Sequence, residues 1–130
     1  MTERIVFLDR DGTMIKSGTI NSIQKIRILP NTIPALKLLT DNKFKLFIIT
    51  NQGDISKGRL TIEQFYKFNN YLLRQLENEG VHIKDTFVCP HRSQDNCNCR
   101  KPKSGMLEAA EKKYGLNIKG SYVIGDRKTD

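Results

Sequence analysis

The sequence predicts an α/β fold, a parallel sheet with helices on both faces, and three observations carry that prediction. Short apolar runs rich in strand-forming residues, at Ile5–Leu8, Phe44–Thr50, Thr86–Val88 and Ser121–Ile124, alternate with segments of helical period. The first run is apolar at every position, which suits a strand buried on both faces. Small and polar residues cluster directly after the first, second and fourth runs, the strand ends at which sheets of this kind bind their ligands.

Taken in chain order, Ile5–Leu8 is the first strand, followed by a turn at Gly12. From Thr13 to Leu29 no period is sustained, so the stretch reads as an irregular loop with one short strand near Ile26–Leu29. Pro30, Asn31 and Pro34 then offer a cap and an early proline. Ile33, Leu36 and Leu39 recur at helical spacing, which predicts a helix to about Asp41. After the second strand, Thr61-Ile62-Glu63-Gln64 fits a capping box, and Phe65, Phe68, Leu72 and Leu76 mark one face of a long helix that Gly80 ends. The last helix opens at Ser104 or Gly105, buries Met106, Leu107, Ala110 and Tyr114, and closes at Gly115.

A chain of 130 residues with 38% hydrophobic content can bury one core, so a single domain spanning 1–130 is expected. Its 22 Lys and Arg against 14 Asp and Glu give a net charge of +8, which favours anionic partners. A nucleic-acid-binding face would interleave basic residues with exposed aromatics, and no such stripe is visible. The chain runs from Met1-Thr2-Glu3-Arg4 straight into a short strand, without a long apolar segment, so a cytoplasmic protein with no membrane partner is expected. The three cysteines, Cys89, Cys97 and Cys99, are odd in number and share one short segment, which argues against a secreted disulfide framework. Together with His91 they spell C-x-H-x₅-C-x-C, four soft or borderline ligands that suit a structural, tetrahedral Zn²⁺ in a loop spanning 89–99. His82 reads as an ordinary surface histidine.

Asp-Gly-Thr alone is a good turn. What raises it above a turn is order: Asp9, Asp11, Gly12 and Thr13 follow the first strand, Thr50, Asn51, Gln52 and Gly53 the second, Gly125 and Asp126 the fourth. A phosphate monoester repels nucleophiles, so a catalyst must neutralise charge while presenting an attacking oxygen in line. Asp9, ionised and held at a strand end, can attack phosphorus. Asp11, two residues on, would project to the same side and could exchange a proton with the leaving oxygen and then with water.

This ordered set resembles the haloacid dehalogenase (HAD) superfamily of phosphohydrolases over Ile5 to Asp130. Asp9-Arg10-Asp11-Gly12-Thr13, Thr50-Asn51-Gln52, the Cys/His cluster, Cys99-Arg100-Lys101-Pro102 and Gly125-Asp126-Arg127 look like the branch holding heptose bisphosphate and histidinol-phosphate phosphatases. The resemblance implies a three-layer, Rossmann-like (HAD-like) parallel sheet. It also implies an aspartyl-phosphate intermediate on Asp9, Thr50 and Lys101 as catalytic partners, and Mg²⁺ held by Asp9, the Asp11 carbonyl and Asp126. Asn51, Gln52, Arg100 and Arg127 are then substrate-binding candidates, and Asp130 matches a second acid of the last motif. Family members continue through another helix and strand beyond that point, so the resemblance implies an exposed sheet edge in either a domain truncated at its C-terminus or a minimal domain that pairs with another chain.

The expected substrate is a small phosphorylated metabolite, a sugar bisphosphate of the heptose 1,7-bisphosphate kind. Histidinol phosphate and a nucleic-acid 3′-phosphate are the alternatives. The Gly105-Met106 helix start and the stretch from Thr50 to Arg59 favour the sugar bisphosphate. Met14-Ile15-Lys16-Ser17-Gly18-Thr19 departs from that branch, lacking the Asp and Tyr placed there for the sugar. A different class, a zinc-containing nucleic-acid-binding module, leaves Asp9, Asp11 and Asp126 unexplained.

Overall fold

The computed structural model describes residues 4–18, 20 and 22–126. Four parallel strands form one sheet in the order β3-β2-β1-β4: β1 Ile5–Leu8, β2 Lys45–Asn51, β3 Ile83–Cys89 and β4 Tyr122–Ile124. The helices are α1 Thr32–Asp41, the single turn α2 Gly53–Ser56, the long α3 Ile62–Asn78 and α4 Gly105–Tyr114. The chain adds β2 and β3 on one side of β1, then crosses to the other side for β4. The neighbours of β1 therefore leave in opposite directions, and its carboxyl end opens into the crevice where such sheets bind ligands.

Alternation along the strands divides the core. Val6, Leu8, Leu46 and Ile48 face α1 and α3, where they pack with Leu36, Leu72 and Leu76. Ile5, Phe7, Phe47 and Ile49 face α4, where they meet Met106, Ala110 and Leu116. Phe47 anchors the second layer: its ring lies 5.5 Å from Phe7, 5.6 Å from Tyr114 and 6.2 Å from Phe87, centroid to centroid. Asp85 fastens the sheet to α4, accepting hydrogen bonds from Lys113 Nζ at 2.7 Å and Tyr114 Oη at 2.6 Å. Burial pushes the Asp85 carboxyl up, but these donors and the Thr86 N–H outweigh it and hold it below the ordinary value.

The capping box forms as expected: Gln64 N donates to Thr61 Oγ1 at 3.0 Å while Thr61 N donates to Gln64 Oε1 at 2.9 Å. Phe65, Phe68, Leu72 and Leu76 are all buried, and Gly80 follows in a left-handed conformation. Three expectations are revised in detail. The third strand runs Ile83–Cys89, longer than its apolar centre, because main-chain pairing with β2 extends past the hydrophobic residues. The second strand is shifted one residue towards Asn51. The stretch after Thr13 is less irregular than its lack of period implied: Met14 and Ile15 are core residues, and Ile15 bridges Asp11 on one side and Ile28 on the other. The strand near Ile26–Leu29 reduces to that bridge, joined by a 3₁₀ turn at Ile23–Lys25. Asn31 does not cap α1 with its side chain; Thr32 Oγ1 instead donates to the Met14 carbonyl at 2.8 Å, tying the helix to this loop.

On the outer side β4 leaves Tyr122, Val123 and Ile124 exposed, at the edge of the sheet among the described residues. No helix among the described residues is long and apolar enough to cross a membrane.

Phe47→Ala is expected to cost about 3–5 kcal/mol of unfolding free energy, because it opens a cavity at the centre of a layer of buried side chains. Leu38→Ala on the exposed side of α1 should stay within about 0.5 kcal/mol. Denaturant titration distinguishes the two.

Candidate active site

The motifs that follow β1 and β2 and the loop that carries Lys101 converge on one cleft of about 830 Å³, lined by Asp9, Asp11, Thr50, Gln52 and Lys101 among others. At its floor Asp9 and Lys101, both buried, form an ion pair, with Lys101 Nζ 2.6 Å from Asp9 Oδ1. Thr13 Oγ1 donates to the other oxygen, Asp9 Oδ2, at 3.2 Å. Backbone pairing fixes the acid, since Asp9 N donates to the Ile124 carbonyl at 2.9 Å. Lys101 is placed by its own N–H, which donates to Asn51 Oδ1 at 3.0 Å, and its ammonium also reaches the Ile49 carbonyl at 3.4 Å.

Asp11 is held differently. Arg10 Nε donates to Asp11 Oδ1 at 2.8 Å and Arg10 Nη2 to Oδ2 at 3.4 Å, while Gln52 Nε2 donates to Oδ2 at 2.9 Å. The same Gln52 nitrogen donates to Thr50 Oγ1 at 2.9 Å. Gln52 therefore links the ends of β1 and β2, and Asn51 links β2 to the Lys101 loop. Both side chains, expected as substrate-binding candidates, line the cleft and also carry these internal hydrogen bonds. Arg10 was not among the expected site residues. The signal lay in its place between the two acids, where alternation turns a side chain to the opposite face.

Gly12 has φ +86°, and a Cβ there would stand 2.2 Å from Asp126 Oδ2. The Asp126 carboxylate thus packs directly on the turn that follows Asp9, as the motif order required. A carboxylate beside the turn that follows Asp9 is a hard oxygen donor of the kind Mg²⁺ accepts. Arg127 and Asp130 lie outside the described residues.

The Cys/His cluster closes as expected. The ligand atoms of Cys89, His91, Cys97 and Cys99 all lie within 4.8 Å of one another. Four of the separations between them are 3.5 Å, 3.6 Å, 3.3 Å and 3.7 Å. A tetrahedron with metal–sulfur bonds of about 2.3 Å has edges of about 3.8 Å, so the spacing fits Zn²⁺. Burial and the neighbouring sulfurs push the Cys99 thiol up to about 12. Burial also opposes ionisation of Cys97, but N–H donors from Arg100 and Cys99 and the adjacent thiols bring it down to about 6. Three thiols this close cannot all ionise without a cation among them. The loop reaches the cleft through main-chain contacts: Gln52 N donates to the Cys89 carbonyl at 2.7 Å, and Arg100 Nη1 to the His91 carbonyl at 3.0 Å. Arg100 is therefore part of the loop's own bracing as well as of the cleft wall.

A family model for polynucleotide kinase 3 phosphatase matches residues 4–128. The chain belongs to that family. Among curated relatives, the probable D-glycero-D-manno-heptose-1,7-bisphosphate 7-phosphatase of Thermoplasma volcanium is 34% identical, over 95% of this chain and 86% of that protein. The histidine biosynthesis bifunctional protein HisB of Blochmanniella floridana is 37% identical over the whole of this chain, which spans only 38% of it. The fold matches that of D,D-heptose 1,7-bisphosphate phosphatase from B. bronchiseptica, solved with magnesium and phosphate, at a TM-score of 0.89 and 26% identity, covering 97% of this chain and 72% of that one. The family's fold is HAD-like, with a HAD-like phosphatase from Mesorhizobium loti superposing at a TM-score of 0.88.

Gly12→Ala is expected to displace Asp126 and, through the left-handed φ, to destabilise the domain by about 1–3 kcal/mol. Thermal unfolding reports the stability, and a fall in phosphate release steeper than the loss of folded protein reports the displaced carboxylate.

Proposed function

We propose that this single domain is a Mg²⁺-dependent phosphomonoester hydrolase that works through an aspartyl-phosphate on Asp9. The observation that supports it most is the buried Asp9–Lys101 pair at the carboxyl end of β1, with Asp11 two residues on and open to the same cleft. Asp9 Oδ attacks phosphorus in line, forming an O–P bond as the ester P–O bond breaks. Asp11 gives its proton to the departing alkoxide. Asp11 then takes a proton from water as that water attacks the same phosphorus, releasing inorganic phosphate and restoring Asp9. Lys101 and the Thr50 hydroxyl compensate charge on the phosphoryl oxygens. Mg²⁺ held by Asp9, the Asp11 carbonyl and Asp126 would supply further neutralisation of the phosphoryl charge.

The rim of the cleft selects the substrate. Lys57, Arg59, Arg92, Arg100 and Lys103 line it, against Asp54 as the acid of the outer wall. That excess of positive charge suits a small substrate with a second phosphate remote from the reacting one, a sugar bisphosphate. The similarity to heptose bisphosphate phosphatases supports the same substrate class. Histidinol phosphate is the second reading, favoured by the similarity to HisB, but it offers no second phosphate to the rim. Met14 and Ile15 are core residues, and among the described residues of the segment that departs from the heptose branch only Ser17 and Gly18 line the cleft. The chain is proposed to act in the cytoplasm on this metabolite, with no nucleic-acid or membrane partner.

Phosphate release should be fastest with sugar bisphosphates in a screen that includes histidinol phosphate and 3′-phosphorylated oligonucleotides, and should require Mg²⁺. Asp9→Asn should lower it by about 10³-fold or more; turnover unchanged in that variant would falsify the mechanism.

Cys89, His91, Cys97 and Cys99 are proposed to bind one structural zinc per chain. Metal analysis of protein purified without chelator should find it. Stripping it should reduce phosphatase activity because Lys101 and Gln52 lose their bracing, and added zinc, not added magnesium, should restore that activity.

A further inference from the structure

We propose that Arg10 is the positioning residue for the acid–base step, setting the plane and direction of the Asp11 carboxylate through a buried relay that ends on β3. The inference rests on the reading of Asp11 as the proton donor and acceptor. Arg10 is nearly fully buried, and each nitrogen of its guanidinium has a partner. Nε and Nη2 bind the two Asp11 oxygens, and Nη1 donates to Asn69 Oδ1 at 3.3 Å. Asn69, on α3, is itself buried, and its amide is oriented because Nδ2 donates to Thr86 Oγ1 at 3.0 Å. The guanidinium also lies over the Phe65 ring, 4.9 Å from the centroid.

The geometry has a direction. Thr86 fixes the Asn69 amide, Asn69 and Phe65 fix the guanidinium, and the guanidinium fork fixes the carboxylate, which Gln52 supports from the β2 side. A planar fork can impose a plane on a carboxylate, whereas an ammonium is only a point charge. The Asp11 side chain remains about a quarter exposed, at 26%, while that of Arg10 is 4% exposed, so the acid is open at the cleft and its clamp is held almost wholly out of water in the cleft wall. A surface ion pair would show neither the buried amide behind the arginine nor the ring beneath it.

Leaving-group chemistry separates this role from a merely structural one. The nitrophenolate of p-nitrophenyl phosphate departs without a proton, whereas the alkoxide of glycerol phosphate needs one. In Arg10→Gln and Arg10→Lys, kcat/KM should fall about 10- to 100-fold on glycerol phosphate and by less than about threefold on p-nitrophenyl phosphate. Asn69→Ala should show the same selectivity at smaller size, and it decides the matter if the Arg10 variants do not fold. Equal losses on both substrates, or no loss on either, overturn the inference. Asp11→Asn is the reference: if it too loses both substrates equally, the acid–base reading falls and the Arg10 role with it. If Asp11→Asn is selective and the Arg10 and Asn69 variants are not, only the role of Arg10 is lost.

Discussion

The buried ion pair between Asp9 and Lys101 is the constraint around which the rest of the molecule is arranged. Taking two charges out of water costs several kcal/mol per ion, and their attraction repays that only when geometry is held tightly and further hydrogen bonds complete each group. Here the partners lie 92 positions apart in the chain. The acid is immobilised by the parallel ladder on both sides of β1, and the lysine by its N–H on Asn51 and its ammonium on Asp9 and Ile49. Loss of these supports would loosen the geometry on which the buried pair depends, so the elements that carry them are coupled through it.

The two sides of the cleft are stiffened by different physics. On the α3 side a hydrogen-bonded relay runs from Thr86 through Asn69 and Arg10 to Asp11, closed by Gln52 and Thr50. Every member is paired, which is the condition under which a buried polar network rigidifies a site instead of weakening it. On the α4 side the loop after β3 has little apolar content, and its shape comes from four ligand atoms drawn together and from main-chain contacts to α2 and the start of α4. Ser56 N donates to the Pro90 carbonyl, and Gly105 N to the Asn98 carbonyl at 3.0 Å. A side chain at Gly105 would meet that carbonyl at 2.3 Å, which explains why the helix begins on glycine there.

The sheet order makes this division possible. Because β4 joins on the far side of β1, Asp126 arrives against Gly12 from the direction opposite to Gln52 and Asn51. Around the paired charges at its floor the cleft is lined by Lys57, Arg59, Arg92, Arg100 and Lys103, an excess of positive charge that favours an anionic ligand.

By itself the sequence determined the alternation of strands and helices, the capping box at Thr61, the Cys/His cluster and the order of the acidic motifs. These are local in the chain: period, turn chemistry and ligand spacing are written in consecutive residues. It also determined that Asp9, Thr50 and Asp126 would share one end of the sheet, because parallel topology sends every strand end to the same side. Only the tertiary structure decided which partners Arg10, Asn51, Gln52 and Asn69 have. A polar side chain beside a motif reads equally as a substrate contact or as a brace. The choice depends on which partner, from α3, β3 or the lysine loop, packs within hydrogen-bond reach, and that proximity is absent from the linear chain. The same reason hid the burial of Met14 and Ile15, which no period announces and which the close approach of Leu29 and Thr32 makes necessary.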